Sequence, residues 1–471
     1  MHQFLISAAH KSSGKTTISI GLAAALRERG LRVQTYKKGP DYIDPLWLAQ
    51  ASGRPCRNLD FFMSTHDEIR NTYARHAAGA DVCLLEGNKG LYDGLALGGE
   101  NSNAALAHLL DLPVILVLDA RGMTRGIAPL ILGYQAFDRN IRIAGVILNR
   151  LGGSRHESKL RAVIEHYTDV AVVGAVAEDA SIGIVERHLG LVPANEADAA
   201  FARIRTIGDR LARQMDLARL LELTASGTPP PAFVRPQRPS TDQAPVRIGV
   251  PQDAAFGFYY AGDMEALAAA GARIVHFDTL HDPQLPAVDA LFIGGGFPES
   301  FGEELEANVT LRSQIKRHIE AGMPVYAECG GLMYLANSLT WHGVTRRMVG
   351  AIQSDIVMHD KPIGRGYVKL LPTRAHPWPN DPAPLAEIRC HEFHYSSIEN
   401  LPADTRFAYR VARGHGVDGH NDGIVYKNVL AAYSHLCATA EHDWPARFVA
   451  FIRNCGRATD VGAAPVSVAS A

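Results

Sequence analysis

The chain has 471 residues, 47% of them hydrophobic and 20% charged, with a formal net charge of −2. That length holds two or three domains, and the near-neutral balance excludes the broad basic surface of a nucleic-acid binder, so any anionic ligand must be gripped locally. Six cysteines scattered without C-x-x-C pairing argue against structural zinc and for a reducing, cytosolic setting, and neither a signal-like start nor an apolar run of roughly 18 to 20 residues points to a membrane.

Residues 3–9 form an apolar, strand-like run, and His10-Lys11-Ser12-Ser13-Gly14-Lys15-Thr16-Thr17 leads from it into the helically spaced 18–29. Strand, loop and helix in that order are the setting of a phosphate-binding loop. Loop N–H groups and the helix N-terminus cradle phosphates, Lys15 reaches the terminal ones, and the Thr16 hydroxyl ligates Mg²⁺. Ala9 stands where the usual motif has its first glycine, so this loop is a variant. Residues 33–37 are predicted as a second strand, and the Gly/Pro-shaped turn after it carries Asp41 and Asp44. One of these carboxylates suits a metal and the other a substrate, or both serve as turn and N-cap residues. A third strand, 81–85, delivers Glu86 to the same edge, where a second Mg²⁺ contact is expected. Strands at 113–119 and 141–149 alternate with helical patterns at 102–110, 124–137 and 154–166, which predicts an α/β fold with a doubly wound, mostly parallel sheet. Residues 180–223 read as helix and loop.

The proline-rich, apolar-poor stretch 226–245 is the expected linker between a nucleotide-binding domain at 1–225 and a second α/β domain at 246–456, with 457–471 expected as a disordered tail. In the second domain, strands at 246–251, 272–277 and 288–293 are predicted. The last runs into Gly294-Gly295-Gly296, whose N–H groups suit an oxyanion hole, a grip on an amino-acid substrate, or a tight turn. Residues 324–327 are a short buried strand that places Cys329 on a turn through Gly330 and Gly331 into a helix. Cys329 is the candidate nucleophile, a buried core thiol being the alternative, and His435, arriving from a later strand, is its candidate general base. His391 and His394 on one strand point to opposite faces, which argues against shared zinc ligation.

These residues carry a resemblance that extends over residues 3–455. In Ser13-Gly14-Lys15-Thr16-Thr17, Lys37 with Gly39-Pro40-Asp41-Tyr42-Ile43-Asp44-Pro45, Glu86-Gly87, Gly90-Leu91-Tyr92-Asp93-Gly94, Gly294-Gly295-Gly296-Phe297-Pro298-Glu299, Glu328-Cys329-Gly330-Gly331-Leu332 and His391-Glu392-Phe393-His394-Tyr395-Ser396, the sequence resembles the cobyrinic (or hydrogenobyrinic) acid a,c-diamide synthases. The resemblance implies a dethiobiotin-synthetase-like ATP-binding domain joined to a class I glutamine amidotransferase domain. It implies that Cys329, activated by His435, forms a γ-glutamyl thioester and frees ammonia, with Gly295, Gly296 and Gly330 around the oxyanion and glutamine. It further implies that ATP phosphorylates an acetate carboxylate of a tetrapyrrole, and that ammonia passing between the domains displaces the phosphate, at the c and then the a side chain. Gly14, Lys15, Thr16 and Thr17 then hold ATP, with Asn149 near adenine; Thr16, Glu86 and Asp41 hold Mg²⁺; and Asp41, Tyr42, Ile43, Asp44 and Asp93 meet the macrocycle. L-glutamine and the tetrapyrrole are the implied partners, with no nucleic acid or membrane, and a homodimer is allowed for.

The sequence departs from the family pattern at three places, the first being Ser12 and Ser13 in the phosphate loop, where relatives favour Gly and Val. The position two residues after His435, where many class I enzymes carry a third acid, is Cys437, so a Cys-His dyad is expected. Lys38 stands where an apolar residue is common, and Asn88-Lys89 replaces a Val/Ala-Met pair. Lys38 and Lys89 are therefore expected to contact substrate, which opens the alternative of a sirohydrochlorin, its nickel complex or sirohaem as the macrocycle. A rival of another class, a nucleotide-dependent switch with an inactive amidotransferase-like module, is opposed by the intact set of Cys329, three glycines and His435.

Overall fold

The computed structural model describes residues 1–184, 186–187, 190–191, 200–226, 244–378 and 386–461. The chain divides into two compact units, Met1–Arg235 and Pro236–Ala471. Most of the expected linker, 227–243, lies outside the described residues, as do 462–471 of the expected tail; the last helix continues through 457–461.

In the first unit, β1 (His2–Ala8), β2 (Val33–Lys38), β3 (Arg57–Leu59), β4 (Val82–Glu86), β5 (Val114–Asp119), β6 (Ile143–Leu151) and β7 (Ala171–Ala177) form one sheet in the order β3-β2-β4-β1-β5-β6-β7. Every pairing in it is parallel. The strands are buried along nearly their whole length, as they must be when helices cover both faces. Alternation along β1 separates two cores. Phe4, Ile6 and Ala8 join the core formed with α1 (Lys15–Glu28), while Leu5 joins that formed with α3 (His66–Ala77) and α4 (Asn103–Leu110). The chain leaves β1 toward β2 on one side, yet β4 connects to β5 on the other. That reversal opens a crevice at the carboxyl ends of β1, β4 and β5.

The second unit is built on a nine-stranded sheet, and only half of it is parallel. Strands β8 (Val246–Pro251), β9 (Ala272–Phe277), β10 (Ala290–Ile293), β11 (Val325–Glu328) and β16 (Val429–Ala432) run parallel, in the order β9-β8-β10-β11-β16. Beyond β16 the sheet continues antiparallel through β15 (Asn421–Tyr426), β14 (Arg406–Arg413), β12 (Gly364–Pro372) and β13 (Ile388–His394). In β11, Val325 and Ala327 pack into one core and Tyr326 into the other, so the strand that delivers the cysteine is clamped from both faces.

Candidate functional site

At the N-terminal crevice the loop after β1 ends on Gly14, in the left-handed region at φ 87°, where a side chain would also collide with the Asn149 carboxamide. Gly14 caps α1 without a side-chain hydrogen bond, which leaves the first-turn N–H groups uncapped by it, as a phosphate cradle requires. The loop is held from outside: the Tyr134 hydroxyl donates to the Ala9 carbonyl (2.6 Å), Asn149 Nδ2 to that of Ser13 (2.9 Å), and Arg150 Nη1 to that of Ser12 (2.9 Å). Asn149, expected near adenine, thus has its N–H group engaged in shaping the loop. Lys15 is buried, and burial pulls its ammonium below the ordinary value against the raising effect of Glu86. Thr17 lies half-buried one residue beyond Thr16.

The expected Mg²⁺ residues do converge. Thr16 Oγ1 donates to Glu86 Oε1 at 2.6 Å and lies 3.3 Å from Asp44 Oδ2. Lys37, a residue that sequence reasoning left without a role, lies at the centre: its Nζ contacts Asp44 directly, Glu86 Oε1 at 3.1 Å and Asp41 Oδ2 at 3.8 Å. Burial works against the Lys37 charge, but Asp44, Glu86 and Asp41 raise its pKa overall. Asp41 is pushed up to about 7 by burial and by the charge of Asp44, and Glu86 is raised first by burial. Glu86 Oε2 is buried with no hydrogen-bond partner. Among the described residues no group of three or more carboxylate, imidazole or thiol side chains is placed to hold a metal ion by itself, so the Thr16 hydroxyl and the orphaned Glu86 oxygen suit a hard divalent cation only together with oxygens that a bound phosphate supplies.

Asp41 Oδ1 also accepts the N–H groups of Ile43 and Asp44, fixing the start of α2 (Ile43–Ser52), with Tyr42 buried beside it. Asp93 Oδ2 accepts the Gly90 N–H at 2.9 Å and so braces the turn after β4. The two lysines expected to reach substrate differ in their surroundings. Lys38 is 2% exposed, its Nζ donating to the side-chain oxygens of Asn88 and Asn101, both at 3.1 Å, and burial holds it at about 8. Lys89 is exposed. Lys38 is therefore an internal tie of the loop after β4, because an ammonium that deep needs acceptors the protein itself supplies.

In the second unit Cys329 follows the last residue of β11 and adopts φ 49°, ψ −103°, a strained conformation for a residue with a side chain, before α5 (Gly330–Leu335). Such a turn holds the thiol off the line of both elements. The glycines around it are required by contact: a Cβ on Gly330 would come within 3.0 Å of Gly296 N, and one on Gly295 within 2.7 Å of His435 Cε1. Gly295, Gly296, Gly330, Cys329 and His435 thus form one cluster. His435 is 3% exposed and its main chain is tied to His391 by a pair of hydrogen bonds. Burial disfavours the charged imidazole, but hydrogen bonds to Cys329 and Glu328 outweigh it and push His435 up to about 10. His391 stacks on the His435 ring at 4.8 Å, while His394 stacks on Tyr433 at 3.7 Å.

The Cys-His dyad expectation needs amending, since His435 Nδ1 lies 3.3 Å from Glu328 Oε2. Sequence reasoning passed over Glu328 because it sought an acid just after the histidine. The available signal was a lone carboxylate at the end of an otherwise apolar strand, directly before the cysteine.

Together the fold and the two clusters define a glutamine amidotransferase joined to a phosphate-loop nucleotide-binding unit. Residues 5–192 match the CobQ/CobB/MinD/ParA nucleotide binding domain and residues 247–443 the CobB/CobQ-like glutamine amidotransferase domain. Proteins named cobyrinate a,c-diamide synthase from Magnetococcus marinus and Methanosarcina acetivorans are 46% and 42% identical, over 96% and 93% of this chain and 98% and 92% of theirs. One of the same name from Archaeoglobus fulgidus is 39% identical over 94% of this chain and 96% of its own. The chain belongs to the cobyrinate a,c-diamide synthase family.

Proposed function

We propose that the chain amidates the a and c acetate carboxylates of cobyrinate, using ATP and glutamine in the cytoplasm. The observation that carries this reading is the strained turn that places Cys329 in one cluster with His435, Gly295, Gly296 and Gly330. His435 takes the thiol proton, and the Cys329 thiolate attacks the glutamine carboxamide carbon. Backbone N–H groups of the glycine cluster receive the oxyanion, and His435 returns the proton to the departing ammonia. Water then cleaves the γ-glutamyl thioester to glutamate, restoring the thiol.

At the N-terminal site the substrate carboxylate attacks the γ-phosphate of ATP, giving an acyl phosphate and ADP; ammonia displaces phosphate and leaves the amide. Gly14, Thr17 and the N–H groups opening α1 cradle the phosphates, and Lys15 neutralises charge on the transferred group. Thr16, Glu86 and Asp41 are the residues that would hold Mg²⁺, with Lys37 keeping their carboxylates together. Bound Mg²⁺ would supply Lewis-acid neutralisation of the phosphates. Tyr42, Ile43, Asp44 and Asp93 face the macrocycle in this reading. The relatives' shared name favours a corrin over the sirohydrochlorin alternatives. Among the described residues no helix is long and apolar enough to cross a membrane.

The test is Cys329→Ala. It should abolish amidation driven by glutamine and leave amidation driven by ammonia largely intact, read as the exchange of hydroxyl for amino on cobyrinate by mass spectrometry. Loss of the ammonia-driven reaction in well-folded protein would sink this division of labour, and failure of the wild type to release glutamate from glutamine would favour the switch-protein reading.

A further inference from the structure

Glu328 is 2% exposed at the end of a strand whose other members are apolar. A carboxylate at that depth is costly unless its oxygens have partners. Oε1 accepts the Leu436 N–H at 2.9 Å and the Tyr326 hydroxyl, and Oε2 faces His435 Nδ1 at 3.3 Å. One carboxylate therefore holds both the imidazole and the main chain immediately beyond it. Tyr326 cannot swing away, because its ring stacks on Phe292 (5.3 Å) and packs against Trp378 and Trp444 (5.1 and 4.9 Å).

The other groups around His435 do not take over this task. His391, stacked on its face, places Nδ1 3.1 Å from the Tyr260 hydroxyl, and burial followed by the His435 charge keeps it well below its usual range, hence neutral. Asp263 accepts the Ala438 N–H and lies 3.3 Å from Trp444 Nε1, and Asp422 accepts the N–H groups of Tyr433 and Ser434. With Nδ1 on Glu328, the remaining ring nitrogen is the one left to Cys329.

We infer that Glu328 is the positioning acid of the thiol site: it fixes the tautomer of His435 and stabilises the imidazolium formed when Cys329 gives up its proton, with Tyr326 holding the carboxylate in place. The role that Cys437 cannot fill is thus supplied from the opposite direction, by the residue preceding the nucleophile. This rests on the reading of Cys329 and His435 as the glutamine-hydrolysing pair. An opposite charge at this range moves a pKa by about 1 to 3 units, so losing it lowers the share of thiolate–imidazolium pair at neutral pH by about tenfold or more.

The experiment compares full-length wild type, Glu328→Gln and Tyr326→Phe by iodoacetamide alkylation of Cys329 from acid to alkaline pH, followed by peptide mass spectrometry, alongside glutamine hydrolysis. Glutamine keeps an oxygen for Leu436 and Tyr326, and phenylalanine keeps the ring packing. In Glu328→Gln the neutral-pH alkylation rate should fall about tenfold and recover at high pH, where the thiol ionises alone; glutamine hydrolysis should fall at least as far. Tyr326→Phe should shift the profile the same way by less. A wild-type profile in folded Glu328→Gln, or faster alkylation at every pH, overturns the inference, since loosened packing exposes the thiol without changing its ionisation. If Glu328→Gln does not fold, Tyr326→Phe decides by the same criterion. If the wild type hydrolyses no glutamine, the underlying reading fails, while the alkylation profiles still decide whether Glu328 charges the pair.

Discussion

Divalent-cation binding at the N-terminal cluster should depend on pH, because the fold holds a proton on Asp41, one of the cluster's carboxylates, that a cation would have to displace. Burial, then the charge of Asp44, raises Asp41 from 3.8 to about 7. An acid raised in the folded state holds a proton that the unfolded chain has already released. Stability contributed by this group is therefore lost as pH rises from about 4 to about 7, and the full cost stands above 7. Three pH units correspond to about 4 kcal/mol. The Asp41 side chain is 35% exposed, and solvent screening reduces that to about 2 kcal/mol. A bound cation removes this cost, so Mg²⁺ should raise the melting temperature near pH 8 and hardly at all near pH 5, and binding should release up to about one proton below pH 7 and almost none at pH 8, where Asp41 is already ionised. Differential scanning fluorimetry across pH, and titration calorimetry in buffers of different ionisation enthalpy, measure both. Asp41→Asn should flatten the slope between about pH 4 and 7 and abolish the proton release. Equal Mg²⁺ stabilisation at both pH values, or a wild-type slope in Asp41→Asn, would refute the reasoning.

Lys15→Ala and Glu86→Gln should remove amidation with either nitrogen source while glutamine hydrolysis survives, because acyl activation precedes nitrogen delivery; normal amide formation from ammonia would take the synthetase role from the N-terminal unit. Lys38→Met should flatten the stability profile at alkaline pH. Burial holds folded Lys38 at about 8 against 10.5, so the folded state sheds its proton first and wild-type stability rises across that window. Urea titrations at the two ends of the window check this, and an unchanged slope in the variant would count against it.

The parallel strands were legible because burial on both faces writes itself as unbroken apolar runs, as in β1 and β5. Arg57–Leu59 was not: three residues, one of them charged, carry no period. Glu86 was expected just past its strand and is instead its last residue, in register with Lys37 across the β2–β4 pair. That pairing is what brings the lysine among the carboxylates, and a register between strands so far apart in sequence leaves no local trace. Glu328 escaped for the same reason. It pairs with Ala432 across β11 and β16, so the neighbouring strand delivers His435 beside it only once the sheet has formed. Of the antiparallel half of the second sheet only the strand carrying His391 and His394 was read from the sequence, because a reading that searched for strand-then-helix alternation passed over the others.

The departures at Lys38 and at Asn88-Lys89 looked like two independent charges facing one site, and on that footing they argued for a macrocycle with extra carboxylates. The structure shows them to be largely a single, coupled change. Lys38 replaces a commonly apolar residue at a buried position, and a buried ammonium must find acceptors; Asn88, which belongs to the second departure, is one of them, and Asn101 is the other. The loop they tie is the one whose turn is braced by Asp93, and Asn103 closes it further by donating to the Gly90 carbonyl at 3.0 Å. The charge of Lys38 is thus turned inward and is not available to a ligand carboxylate. Only Lys89 remains exposed, and a single exposed lysine contributes too little to redirect specificity among tetrapyrroles. With the paired-charge argument gone, no residue described at this site favours sirohydrochlorin over a corrin, and cobyrinate stands as the substrate that the family resemblance implies.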